Sequence, residues 1–121
     1  MTPFGNKLRI LRNEKNITQK ELARAIGVSP AYLSSLERGN RGAPSVQIVE
    51  AVCAYFNIIW EEADEVRRLA LLSHPKIIIN TSNLNNHKAT ELTNLLANKI
   101  NYLNKEQIEK IINIIENKDS N

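Results

Sequence analysis

The sequence predicts an all-α chain: a five-helix domain over residues 1–75, then a C-terminal extension over residues 76–121 holding one short extended segment and a helical hairpin. Apolar residues recur every three or four positions along successive short segments, the period of a half-buried helix. Between those segments stand Thr18, Gly27-Val28-Ser29-Pro30, Gly42-Ala43-Pro44-Ser45 and Ser73-His74-Pro75, residues that cap, stop or bar helices. Length sets the scale, since 121 residues bury about two thirds of their unfolded surface, enough for one modest core and an appendage.

The first helix is read over Phe4 to Lys15, with Phe4, Leu8 and Leu11 at spacings of four and three and Ile10 nearby. Thr18 caps a second helix, with Gln19 at its first position and Leu22, Ala23 and Ile26 on one face. Gly27 stops it, because glycine enters the left-handed region without a Cβ clash. Ser29 as cap and Pro30 as first helical residue announce a third helix. There Leu33 and Leu36 turn inward, Val28 fills the turn, and Pro30, Ala31, Ser34 and Ser35 are left on the other side. Two helices joined by such a turn form a helix-turn-helix, and the small Ala23 suits their close approach.

Asn40 to Pro44 is a loop, after which Ser45 caps a fourth helix with Val46, Val49, Val52, Cys53 and Phe56 inward. Cys53 reads as a small core residue rather than a reactive thiol. Asn57 ends this helix, and Ile58-Ile59-Trp60 leads into a fifth that carries Ala63, Val66, Leu69 and Ala70 at helical spacing. Glu61, Glu62, Asp64 and Glu65 crowd its first turn, where they complement the helix dipole. Pro75 breaks the pattern, and Lys76 to Thr81, KIIINT, reads as extended and buried on both sides. Such a segment needs a partner for its backbone: a second copy across a two-fold axis, or its own domain with the segment as a packed linker. Asn83 to Lys88 is a polar loop. A helix over about 89–103 then carries Leu92, Leu95, Leu96, Ile100 and Leu103. Asn104 with Gln107 makes a capping pair for a last helix bearing Ile108, Ile111, Ile112 and Ile115. This hairpin is expected to pack on the first domain, on its copy in a second subunit or on another protein, and Asn117 to Asn121 to fray.

Charge separates the regions. Residues 1–44 hold eight Lys and Arg against three Glu, a net plus 5, whereas residues 45–75 hold two against five, a net minus 3. Positive potential is thus concentrated beside the helix-turn-helix, as docking on phosphates requires. No apolar run reaches the roughly 18 residues of a membrane span, and the amino terminus lacks a signal-peptide layout, so a cytoplasmic protein is expected. The single Cys53 excludes an internal disulfide, and His74 and His87 offer no metal-ligand spacing. Neither histidine has a partnered serine, cysteine or acid at a recognisable spacing, so neither enzyme activity nor a cofactor or metal is expected.

Gln19, Glu21-Leu22-Ala23, Gly27 and the run from Leu33 to Gly39 together resemble the helix-turn-helix of the phage repressor and Cro family, the Xre family of bacterial regulators, over about residues 4–72. The resemblance implies a repressor-like domain whose third helix enters the major groove amino end first. Ser29, Pro30, Ala31 and Ser35 would then lie closest to base edges, with Tyr32 and Ser34 flanking. Gln19 would meet a phosphate through its backbone and side-chain amides, and Arg38, Asn40 and Arg41 would reach the backbone farther along. The family also pairs an arginine at the place of Arg12 with the glutamate at Glu37; a phosphate contact is the alternative role for Arg12. The chain departs from the pattern at Pro30, where a glutamine that bonds adenine is common. That leaves specificity to Arg38 or Arg41 reaching bases, to DNA shape and to the spacing of a dimer.

These features lead to a sequence-specific regulator of transcription, a repressor that binds double-stranded DNA at a palindromic operator as a homodimer. The alternative is an antitoxin-like protein whose C-terminal hairpin holds a protein partner while the helix-turn-helix autoregulates its operon.

Overall fold

The computed structural model describes residues 1–117. Among these lie seven α-helices and no strand: α1 (Pro3–Glu14), α2 (Gln19–Ile26), α3 (Pro30–Arg38), α4 (Val46–Tyr55), α5 (Trp60–Leu71), α6 (His87–Lys99) and α7 (Lys105–Glu116), with a 3-10 turn at Ile100–Tyr102. The chain divides into two compact units, Met1–Ile77 and the segment from Ile78 onward.

Local chemistry sets the helix boundaries of the first unit. The Thr18 hydroxyl accepts from the Glu21 amide at 3.0 Å, Ser29 from Tyr32 at 3.0 Å and Ser45 from Ile48 at 3.2 Å. Each bond satisfies an amide that has no partner within its own helix. Thr2 does the same for Gly5 at 3.1 Å, and Pro3 follows it, so α1 begins one residue before Phe4. Gly27 and Gly39 end α2 and α3 in the left-handed region, at φ 77° and 79°. Both the Gly39 and Asn40 amides return to the Ser35 carbonyl at 3.0 Å, folding the chain back along α3.

The core draws Phe4, Leu8 and Leu11 from α1, Leu22 and Ala23 from α2, Leu33 and Leu36 from α3, Val49, Val52 and Cys53 from α4, and Ala63, Val66 and Ala70 from α5. Phe56 and Ile58 close it between the last two helices. α1 packs on α3 and α5, α2 on α3 and α4, and α4 on α5. The buried Ser73 hydroxyl accepts from the Phe4 amide at 2.9 Å and donates to the Leu69 carbonyl at 2.5 Å, tying the start of α1 to the end of α5. One inward assignment fails, that of Val46. Val46 is 72% exposed and Ile10 lies at the surface. At the first turn of α4 Val46 borders an open cleft of about 330 Å³ with Pro44, Val49 and Leu71.

In the second unit the Asn104 cap forms as expected, while α6 begins at His87, inside the stretch read as a polar loop. Asn104 and Gln107 exchange bonds of 2.8 and 3.0 Å in a capping box, and Asn86 caps α6. α6 ends at Lys99 and tightens into the 3-10 turn rather than running to Leu103. No described residue of this unit is buried, and Leu96, Leu103, Ile108 and Ile111 are half-buried. The segment read as extended and doubly buried has no regular structure, and Ile77, Ile78 and Ile79 are all exposed. Among the described residues it finds no backbone partner, and a strand would need one. Asn117 is the C-cap of α7; the rest of the expected frayed end, residues 118–121, lies outside the described residues. Among the described residues no helix is long and apolar enough to cross a membrane.

Candidate nucleic-acid interface

All ten residues assigned to DNA lie in the first unit, at the start of α2, along α3 and in the loop that follows it. Ser29, Pro30, Ala31, Arg38, Asn40 and Arg41 are exposed, while Gln19, Tyr32, Ser34 and Ser35 are half-buried. Pro30 and Ala31 offer only carbon. The Ser29 hydroxyl already accepts the Tyr32 amide, so it has its proton left to donate.

Beneath this surface Glu37 is fully buried and carries a charge. Arg12 meets it with two parallel bonds, Nε to Oε2 at 2.8 Å and Nη2 to Oε1 at 3.0 Å, and gives Nη1 to the Ile17 carbonyl at 3.1 Å. Gln19 Nε2 adds a third bond to Oε1 at 3.0 Å, and Arg9 Nε stands 3.6 Å away. Burial pushes the Glu37 carboxyl up, but the hydrogen bonds from Arg12 and Gln19 and the charges of Arg12 and Arg9 outweigh it and hold its pKa below the ordinary value. The bond to Glu37 raises the already high pKa of Arg12. With three N–H groups so engaged, Arg12 belongs to the scaffold. Gln19 has one side-chain N–H left, beside the free amides of the α2 amino terminus.

Two arginines assigned to the backbone are held by side chains of α3 itself. Arg38 Nη1 donates to Ser34 Oγ at 2.8 Å, one turn back along the helix. The Arg41 guanidinium lies over the Tyr32 ring, 5.3 Å from its centroid. The sequence reading missed Arg9, although it sits three residues before Arg12 and therefore on the same helix face. It also missed the role of the Tyr32 ring, for which no local signal exists, because the loop brings Arg41 back from nine positions away. Cys53 is buried and its thiol pKa is raised, first by burial and then by Glu50, which suits an inert core residue. Among the described residues no group of histidine, cysteine and acidic side chains could hold a metal ion.

A helix-turn-helix family model matches residues 8–59. The chain is 38% identical over 61 residues to the HTH-type transcriptional repressor RghR of Bacillus subtilis (strain 168), a match covering 50% of this chain and 45% of that protein. It is 37% identical over 59 residues to YazB of the same organism, an uncharacterized HTH-type transcriptional regulator, covering 49% of this chain and 84% of YazB. The chain thus spans about half the length of RghR and most of the shorter YazB. A solved structure of the SinR protein/SinI protein complex aligns with a TM-score of 0.45 at 24% identity, over 98% of this chain and 99% of that one.

Proposed function

Because the chain belongs to the Xre-type helix-turn-helix family of transcriptional regulators, we propose that it is a sequence-specific DNA-binding repressor that occupies a palindromic operator as a homodimer. The observation that carries this reading is the exposed amino-terminal face of α3, with exposed Arg38 and Arg41 at and beyond the carboxyl end of the same helix and the Arg12–Glu37–Gln19 network tying that helix to α1 and α2. An exposed helix held by its neighbours, with phosphate-binding residues beside it, suits entry into a major groove.

In this mechanism α3 enters the groove amino end first. The remaining Gln19 amide proton and the α2 amino-terminal amides meet one phosphate. Ser29 and Ser35 reach base edges, Pro30 and Ala31 contact thymine methyl groups, and Arg38, Asn40 and Arg41 hold phosphates at the other end of α3. Serine reads bases weakly, so the spacing of two recognition helices, about 34 Å, supplies much of the discrimination. The uncovered apolar residues of α6 and α7 are the natural material for that dimer.

The test is binding of the purified full chain to duplex DNA from upstream of its own gene, with sedimentation of the free protein in parallel and Gln19→Ala and Arg41→Ala as variants. Salt-sensitive binding of a dimer to a two-fold site, weakened in both variants, is the expected result. Failure of a well-folded protein to bind at any salt concentration overturns the reading. The second reading, a protein held by the C-terminal helices while the first unit autoregulates, is favoured by the exposure of Ile112, Ile114 and Ile115 on α7. A dimer that buries those residues removes its support.

A further inference from the structure

We propose that Tyr32 is a positioning residue for DNA binding, its ring holding the Arg41 guanidinium ready against the flank of α3 so that the arginine meets a backbone phosphate already ordered. The inference rests on the DNA-binding reading above. It reassigns Tyr32 from a direct contact to a support for another residue.

The stack is built from the sequence upward. Ser29 caps α3 through the Tyr32 amide, which fixes where Tyr32 leaves the helix. The side chain is half-buried and packs against the core, so the ring has little freedom. Gly39, in the left-handed region, reverses the chain, and the loop returns Arg41 to a centroid distance of 5.3 Å, within the range of a cation–π contact. Among the described residues no carboxylate and no hydrogen bond holds Arg41.

Stacking suits a phosphate clamp for a geometric reason. All five donors of a guanidinium lie in its plane, and an aromatic ring that attracts the cation orders it without supplying a competing carboxylate or carbonyl acceptor. Arg12 shows the opposite case, with three of its N–H groups committed to Glu37 and Ile17. An arginine on a free loop would lose its rotamer freedom at the moment of binding, and the stack removes part of that loss beforehand. Tyr32 should therefore matter to DNA only while Arg41 is present.

A double-mutant cycle on the full chain tests this, using an operator duplex selected by the wild-type protein from a random pool. Tyr32→Leu is expected to weaken binding about 2- to 5-fold, the size of an exposed cation–π contact, and Tyr32→Phe to restore it. Arg41→Ala is expected to weaken binding and lower the salt slope by about 0.9, one phosphate contact. In the Arg41→Ala background Tyr32→Leu should then change affinity by less than about 1.5-fold. Equal losses from Tyr32→Leu in both backgrounds, or none in either, overturn the proposal. Nuclear magnetic resonance of the free protein adds a readout independent of affinity. The Arg41 side-chain protons should carry a ring-current shift that Tyr32→Phe keeps and Tyr32→Leu abolishes, and its absence from the wild type would also overturn the proposal. If the wild type enriches and binds no duplex, the DNA-binding reading fails and this inference with it. Binding by the wild type without coupling sinks the inference alone.

Discussion

Gln19 Nε2 donates to Glu37 Oε1 at 3.0 Å, so the first residue of α2 and the penultimate residue of α3 share one buried carboxylate. Arg12 of α1 holds the same group through two bonds. Three helices therefore meet on a single charge, and the angle at which α3 is presented depends on it. Glu37→Ala leaves the Arg12 guanidinium without its partner, and Arg12→Ala leaves a buried carboxylate. Each is expected to destabilise the first unit by about 3–5 kcal/mol in urea titrations. The double change Arg12→Met with Glu37→Leu should cost less than either single change, because no charge is then stranded. A single-variant loss below about 1 kcal/mol would place the pair with ordinary surface ion pairs.

The same carboxylate makes stability depend on pH in one direction. Its pKa is lower in the folded chain than in the unfolded one, so the unfolded chain takes up the proton first. The contribution is complete above the unfolded value of about 4.3 and is lost as pH falls through the lower folded value. Urea midpoints of the wild type should fall in that acid range more steeply than those of Glu37→Gln. Parallel curves for the two proteins would show that Glu37 does not govern the acid limb.

Two glycines are expected to respond to a methyl group for different reasons. A Cβ on Gly5 would collide with the Leu36 and Glu37 carbonyls, so Gly5→Ala must separate α1 from α3. A loss of about 1–3 kcal/mol is expected. At Gly27, φ 77°, a Cβ meets nothing within 4 Å, and only the left-handed backbone is at stake. Gly27→Ala should cost about 1–2 kcal/mol, and Gly27→Asn less. Thermal melts of the three variants read the difference, and equal losses for Ala and Asn at position 27 would contradict the backbone explanation.

Trp60 opens α5 at φ 57° with 77% of its surface exposed. A bulky side chain is strained in that region and here gains little burial in return. Trp60→Gly should therefore be neutral or stabilising by up to about 1 kcal/mol, followed by far-UV circular dichroism because the chain's one tryptophan is removed. A loss above about 1 kcal/mol would mean that the indole packs on the domain more than its exposure indicates.

Ile112 and Ile115 are exposed on α7, a helix with no buried residue among those described. Under the homodimer reading, Ile112→Lys with Ile115→Lys should convert the dimer to a monomer in sedimentation. The melting of the first unit should be unchanged, and operator affinity should fall by at least about 10-fold through loss of the linked half-site. An unchanged dimer would exclude this face from the interface.

The sequence by itself determined what depends on near neighbours. The caps Thr18, Ser29, Ser45 and Asn104 act over three residues, and the turn glycine Gly27 answers to its own φ. The inward faces of α2, α3 and α5 follow from helical period, so five helices and a helix-turn-helix are legible in the residues alone. Only the tertiary structure decided which of these faces are covered. Val46 follows the stripe of α4 yet lies bare, and the three isoleucines at 77–79 are exposed. It also decided contacts between residues far apart in sequence: Ser73 with Phe4, Arg9 with Glu37 and Arg41 with Tyr32. Cap and period chemistry acts within one turn of chain, whereas coverage and long-range pairing depend on where every other element comes to rest.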